Sequence, residues 1–452
     1  MKQPLAMIVR VKTDIPAAVG TSLADITGWQ ETFKGLLGRF TKRFARKGTL
    51  ALAGDMITGM LAELPRINGW TVAEHLGHAS PDRVQSLVAD AVWDHDGVRD
   101  DLRDWVIEHL GTHDSVVLID ETGDLKKGTK TVGVQRQYTG TAGRVENAQV
   151  AVYLVWATPH GATFTDRALY LPESWTSDPK RMKDAGVPDT VAFATKPAQA
   201  AQMIAAHLAA GHTPGRISAD EVYGGNPHLR AYLQTQQIPY VMAVARTEPI
   251  TTAAGVFPAI DLAVRPGVPY TRLSAGKGAH GERDYDWALI HAEAPPEHTG
   301  MFALLVRRSI TPKDDGTHEL AFYRTYYPHR VPLAELVHVA GTRWRIEEGF
   351  QTSKELAGLD QHQVRTWTSW HRWVTLAMTA HALLTVIAAG QRPPETGLAP
   401  LTRNEVRRLA ARILWAVVHT TCHTLAWSTW RRRRLHAARI SHYKQRGHQI
   451  PP

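Results

Sequence analysis

Two short, wholly apolar runs, residues 116–119 and 217–219, are each closed by an aspartate, Asp120 and Asp220. An unbroken apolar run of this length, bounded by polar residues, reads as a central strand buried on both faces. The end of such a strand holds the next side chain rigidly at the sheet edge, where α/β folds commonly bind ligands. One aspartate after one strand is ordinary turn chemistry. Two of them in one sheet direct both carboxylates into the same small volume, provided that the strands are neighbours.

The pattern around these runs divides the chain. In residues 1–112 apolar positions recur at helical spacing (Phe33, Leu36, Leu37 and Phe40, then Val98, Leu102, Trp105 and Leu110), which predicts a helical domain. Residues 113–247 change period. Strands are expected at 116–119, at 131–138 with Val132, Val134 and Tyr138 on one face, and at 148–156. Glycine-containing loops join the three as a meander. Thr195 then caps a helix with Pro197 in its first turn, and 217–219 and 240–245 alternate with a helix at 227–233. The result is a mixed α/β sheet covered on both faces. Residues 248–328, rich in Pro and Gly, predict a β-rich insertion with strands at 284–291, 301–308 and 319–323. Residues 329–390 return to helix, over 333–356 and again over the apolar 373–390. The latter contains His381 and several Thr and Ala residues, and reads as a buried helix rather than a membrane span. Residues 391–452 read as a helical, basic region.

At 452 residues, with 43% apolar and 21% charged residues, the chain is not predominantly disordered and buries a large core without a staple. The lone Cys422 excludes an internal disulfide and a thiolate-rich zinc site. Residues 4–9 are too short an apolar stretch for a secretory signal. The net charge of +9 is unevenly placed: residues 391–452 carry twelve basic and two acidic side chains, and the rest of the chain is close to neutral. A segment with that excess suits a polyanion such as nucleic acid; a solvated helix face is the plainer reading of the same pattern.

A third acid lies in residues 343–350. Arg343, Glu347 and Lys354 fall along one helical face. They make either a surface ladder of charge pairs or a carboxylate brought to Asp120 and Asp220 between two cations. Three crowded carboxylates repel one another, and divalent cations relieve that repulsion. With no cysteine and no histidine cluster on offer, the hard, oxygen-seeking Mg²⁺ is the natural ion. Two such ions support in-line displacement at phosphorus.

Four stretches carry a family resemblance: LIDETGDLKKGTKTVGVQRQYTGTAGRVENAQVAV at 118–152, SADEVYGGNPHLRAYL at 218–233, RWRIEEGFQTSKELAGLDQHQVRTW at 343–367 and AWSTWRRRRLHAARISHY at 426–443. In these the chain resembles the DDE-type transposases of bacterial insertion sequences, in the group of DDE superfamily endonucleases, over nearly its whole length. The resemblance implies an RNase H-like core and places the catalytic, metal-binding acids at Asp120, Asp220 and Glu347, with two Mg²⁺ ions that Mn²⁺ replaces. The family signature of Tyr, two residues, Arg, three residues, Glu, six residues, Lys is kept at Arg343, Glu347 and Lys354, but Ala340 stands in the Tyr position. Glu348 is a rival to Glu347 and is out of register with both cations. The implied activity is cleavage and joining of DNA ends by cut-and-paste transposition. Cutting without joining, or DNA binding without chemistry, are the alternatives. Candidate DNA contacts are Arg343, Lys354, Lys126, Lys127, Lys130, Arg136 and the run Arg431, Arg432, Arg433 and Arg434. The implied partners are double-stranded terminal repeats and target DNA, in a homodimer or higher assembly on the nucleoid of a bacterial cytoplasm, with no membrane. Glu121, Glu221 and Asp124 are expected to be solvated or to support the site from outside. Trp287 is expected to pack, and His362 and His371 to serve packing or the DNA backbone rather than zinc.

Overall fold

A computed structural model of the chain describes residues 23–278, 281–391 and 399–445. Residues 4–9, Arg392, Glu395 and Arg446 lie outside the described residues. The chain opens with α1 (Leu23–Arg39), α2 (Lys47–Leu61), α3 (Gly69–His75), α4 (Asp82–Ala89) and α5 (His95–Leu110). The expected apolar stripes are their buried faces: Leu36, Phe40, Met56, Met60, Leu102, Trp105 and Leu110 are all buried. Side-chain caps set the helix starts. Asn68 and Thr71 form a reciprocal capping box on α3, and Asp94 accepts from the Gly97 amide on α5.

The sheet begins with β1 (Val116–Leu125), β2 (Gln135–Thr139), β3 (Arg144–Thr158) and β4 (Gly161–Leu169). After α6 (Glu173–Thr176), α7 (Pro179–Asp184) and α8 (Lys196–Ala209) come β5 (Arg216–Ala219), α9 (Glu221–Gly224), α10 (Pro227–Thr235) and β6 (Tyr240–Val244). The Pro/Gly-rich stretch holds a small pair, β7 (Pro249–Thr252) and β8 (Gly255–Pro258), then α11 (Ala259–Ala263), β9 (Thr271–Gly278), β10 (Gly281–Ala292), β11 (Met301–Arg308) and β12 (Leu320–Tyr327). One ten-stranded sheet runs β2-β3-β1-β5-β6-β12-β11-β10-β9, with β4 also on β3. β1, β5 and β6 are mutually parallel neighbours, and the other pairings are antiparallel. The β-rich stretch therefore continues the core sheet through β12 on β6. The mixed sheet, the flanking N-terminal helices and the basic helical C-terminal region make an RNase H-like fold with extensions.

Several sequence expectations change. The three strands after residue 113 are no meander, because β1 and β2 lie on opposite edges of β3. β2 starts at Gln135, since Gly133 takes a positive φ of 74° and turns the chain before it. Val132 and Val134 are buried in that turn, whereas Tyr138 is 64% exposed, so the three do not share a face. The helix expected over 333–356 is two, α12 (Leu333–Thr342) and α13 (Trp344–Ala357), meeting at Arg343.

The apolar helix is α14 (Trp367–Ala389). It is long and apolar enough to cross a bilayer, yet 89% of its most apolar window is buried inside the protein, packed against β4, α5 and α2. It joins the helical unit to the sheet. His381, fully buried, sits between the Thr163 and Thr352 hydroxyls at 2.8 and 3.1 Å. The chain closes with α15 (Arg403–Leu409), a π turn over Ala410–Leu414 and α16 (Thr421–Gln445).

Candidate active site

Ile119 and Ala219 are direct partners across the parallel pair β1·β5. Asp120, within β1, and Asp220, just past the end of β5, therefore lie at the same level on adjacent strands, about 5 Å apart in backbone terms. β1 runs on to Leu125, paired with β3 throughout, so Asp120 does not close its strand as the apolar run suggested. Each is held by local geometry. Asp120 accepts from the Glu121 amide at 2.8 Å, and Asp220 caps α9 by accepting from the Val222 amide at 2.9 Å. Burial, and next to it the Asp220 charge, push the Asp120 carboxyl up to about 7; Arg343 offsets only part of this. Burial, followed by the Glu121 charge, raises Asp220 as well. Two carboxyls that resist ionising together mark a place short of positive charge.

Glu347 reaches this place through Arg343. The Arg343 guanidinium stands 3.8 Å from Asp120 Oδ2 and donates to Glu347 Oε1 at 2.6 Å. The break between α12 and α13 puts Arg343 at the helix junction, where its side chain meets Asp120 on β1. Glu348 faces elsewhere: it pairs with Arg403 and lines a separate cleft with Arg345 and Thr402. Register with Arg343 and Lys354, which favours Glu347 over Glu348, agrees with this division. Among the described residues no three acidic, histidine or cysteine side chains converge tightly enough to hold one metal ion. The donor set nevertheless fits a hard divalent cation: two half-buried carboxyls that resist ionising, with Arg343 as a neighbouring cation and Glu347 on the far side of that guanidinium.

The remaining candidates sort by what they touch. Lys354 Nζ donates to Thr122 Oγ1 at 2.7 Å, on the strand that carries Asp120, and lies 3.4 Å from Thr141 Oγ1. Lys126 turns inward, donating to the His362 carbonyl at 3.1 Å. His362 in turn bonds Asp124 at 3.0 Å. Burial raises Asp124, but the His362 contact outweighs it and leaves that carboxyl below its ordinary value. Lys127, Lys130 and Arg136 are exposed, as is Glu221. Trp287 is buried, donating to the Leu273 carbonyl at 3.1 Å. His371 accompanies His95 rather than His362, the two rings stacked 5.3 Å apart.

Part of the basic region is used internally. Arg403 holds Glu348, and Arg407 donates to the Ala62 carbonyl at 2.7 Å. Arg412 pairs with Glu63 at 2.9 Å, and Arg431 with Glu74. Trp427 is buried and donates to the His78 carbonyl at 2.7 Å, and Trp430 meets Trp70 edge-on. These contacts dock the first half of α16 on α3 and leave Arg432, Arg433 and Arg434 exposed.

Sequence reasoning missed two residues of the site, Tyr223 and Lys196, which bond Glu121 at 2.6 and 2.5 Å. Tyr223 follows Asp220 by three residues and Lys196 opens α8; no local pattern in the sequence links either to position 121.

Residues 36–280, more than half of the chain, match the family described as DDE superfamily endonuclease; the match includes Asp120 and Asp220 and ends before Glu347. The chain is 24% identical over 271 residues, 57% of its own length and 67% of the relative's, to a protein of Microchaete diplosiphon named as a probable transposase for insertion sequence element IS701. With that match spanning Asp120 and Asp220, the chain belongs to the DDE superfamily of endonucleases and transposases, whose members work by metal-dependent chemistry.

Proposed function

We propose that the protein is a transposase that cuts the ends of an insertion sequence and joins them to target DNA, with Asp120, Asp220 and Glu347 as its catalytic acids. The observation that carries this reading is the parallel partnership of Ile119 with Ala219, which sets two half-buried carboxylates at one level on neighbouring central strands. Two divalent cations, Mg²⁺ or Mn²⁺, would supply activation of the attacking oxygen and neutralisation of the leaving one. Asp120 and Asp220 would hold the first ion, and Glu347, once released from Arg343, would help to hold the second. Arg343 then offers its rigid fork, and Lys354 its mobile charge, to phosphate oxygens flanking the scissile bond. Water attacks the phosphodiester at the element end and leaves a 3′-hydroxyl. That hydroxyl attacks target DNA in the same in-line geometry, so the one site serves hydrolysis and transesterification.

Double-stranded terminal repeats are held by the helical unit together with Arg432, Arg433 and Arg434 on α16. Lys127, Lys130 and Arg136 face the same polyanion from the loop after β1 and from β2. Two ends must meet for joining, so the working form is a dimer or a higher assembly on DNA. The test is cleavage of a duplex carrying the flanking repeat. Asp120→Asn is expected to abolish Mg²⁺-dependent nicking while it retains binding in a mobility shift. Normal nicking by that variant refutes the assignment. Pre-cleaved ends incubated with plasmid separate a joining enzyme from one that only cuts.

A further inference from the structure

The Glu121 carboxylate is enclosed on both of its oxygens. Oε2 accepts from the Tyr223 hydroxyl at 2.6 Å and Oε1 from Lys196 Nζ at 2.5 Å. Tyr223 is fully buried and belongs to the short helix that Asp220 caps; Glu121 directly follows Asp120. One hydrogen bond therefore ties the strand bearing the first aspartate to the turn bearing the second. The same turn is pinned from another side. A Cβ on Gly224 would lie 1.9 Å from the Ala243 carbonyl of β6, so only glycine lets this turn sit directly on the sheet.

We propose that Glu121 and Tyr223 act as a clamp that sets the spacing of Asp120 and Asp220, with Glu121 as a positioning residue rather than a metal ligand. This rests on the reading of those two aspartates as the metal-holding pair. A small error in carboxylate spacing matters because divalent ions tolerate little variation in oxygen geometry, Mg²⁺ least of all. Groups that orient ligands from outside typically change metal affinity by about 10–100-fold when removed. A ligand role for Glu121 would require breaking two short, charge-assisted contacts.

Calorimetric titration of Mn²⁺ into full-length protein bound to an uncleavable end duplex tests this, with DNA affinity and melting temperature measured alongside. Tyr223→Phe removes one hydroxyl and is expected to weaken Mn²⁺ binding about tenfold. DNA affinity should stay within about twofold, and the variant should remain folded. Glu121→Gln keeps an amide that still bonds the Tyr223 hydroxyl and is expected to bind Mn²⁺ within about threefold of the wild type; Glu121→Ala is expected to match Tyr223→Phe. Wild-type Mn²⁺ affinity in Tyr223→Phe overturns the clamp. So does a Glu121→Gln defect as deep as that of Glu121→Ala, because it makes the charge itself a ligand. A wild-type protein that takes up no Mn²⁺ on DNA overturns the metal-holding pair, an outcome distinct from either of these.

Discussion

Asp120 shows how one side chain reports its surroundings. Its carboxyl is raised by burial and by Asp220, so the folded protein holds this proton more tightly than the unfolded chain does. The site therefore costs stability progressively as pH climbs from the ordinary carboxylate range to about 7, and the full cost is present above that. Without divalent ions, Asp120→Asn is expected to melt above the wild type at pH 8, by a few kcal/mol at most, and to lose that advantage near pH 4. Scanning calorimetry at the two pH values checks it, and an equal gap at both would contradict the burial argument. Arg343 yields a second outcome. Since it stands as counter-charge to Asp120 and Glu347, Arg343→Ala is expected to raise the Mn²⁺ affinity of the DNA-free protein by at least about fivefold while weakening DNA binding. Calorimetry without DNA reads the first effect, and unchanged or weaker Mn²⁺ uptake would remove Arg343 from that role. The sequence drew attention to Asp120, Asp220, Arg343 and Glu347 because each belongs to a local pattern, the close of an apolar run or a helical spacing. Tyr223 and Lys196 were not legible, because their meeting with Glu121 depends on how separate turns pack.

At the scale of elements, propensity and packing divided the work. The α8 helix was readable from its cap: Thr195 accepts from the Ala198 amide at 3.3 Å with proline in the first turn. Thr195→Ala is expected to cost about 1 kcal/mol in urea unfolding with little effect on DNA cleavage. The α9 turn behaves differently. Gly224→Ala drives a methyl group into the β6 backbone and is expected to destabilise by about 1–3 kcal/mol and to depress cleavage as well, because the same turn carries Asp220. Stability and cleavage measured on both variants separate a remote cap from a turn inside the site. β2 misled the reading because Val132, Val134 and Tyr138 alternate as a strand would. Gly133 breaks that alternation, and a positive φ there is a backbone choice that hydrophobic periodicity does not record. The single helix expected over 333–356 divides for a related reason: residues on both sides of Arg343 keep helical spacing, and Arg343 keeps helical backbone angles (φ −51°, ψ −37°), so periodicity does not mark the break.

For the whole molecule, charge and topology are decisive. The basic region splits into arginines that hold it to the body, such as Arg407 and Arg431, and arginines left exposed. Replacing Arg432, Arg433 and Arg434 together by alanine is expected to flatten the plot of log affinity against log salt by about 3, close to one unit for each phosphate no longer neutralised. Fluorescence anisotropy across salt concentrations measures it, and an unchanged slope would assign these residues to the solvated face that composition alone also allows. That strands follow residue 113, that each of two apolar runs ends in an acid, and that the excess positive charge lies near one end were all readable along the chain. Those are properties of neighbouring residues, written in periodicity and composition. The parallel partnership of β1 and β5, the extension of the same sheet by the β-rich stretch, and the place of Arg343 between Asp120 and Glu347 emerged with folding alone. Such facts join segments far apart along the chain, and they follow from which faces bury best against each other rather than from any local preference of the chain.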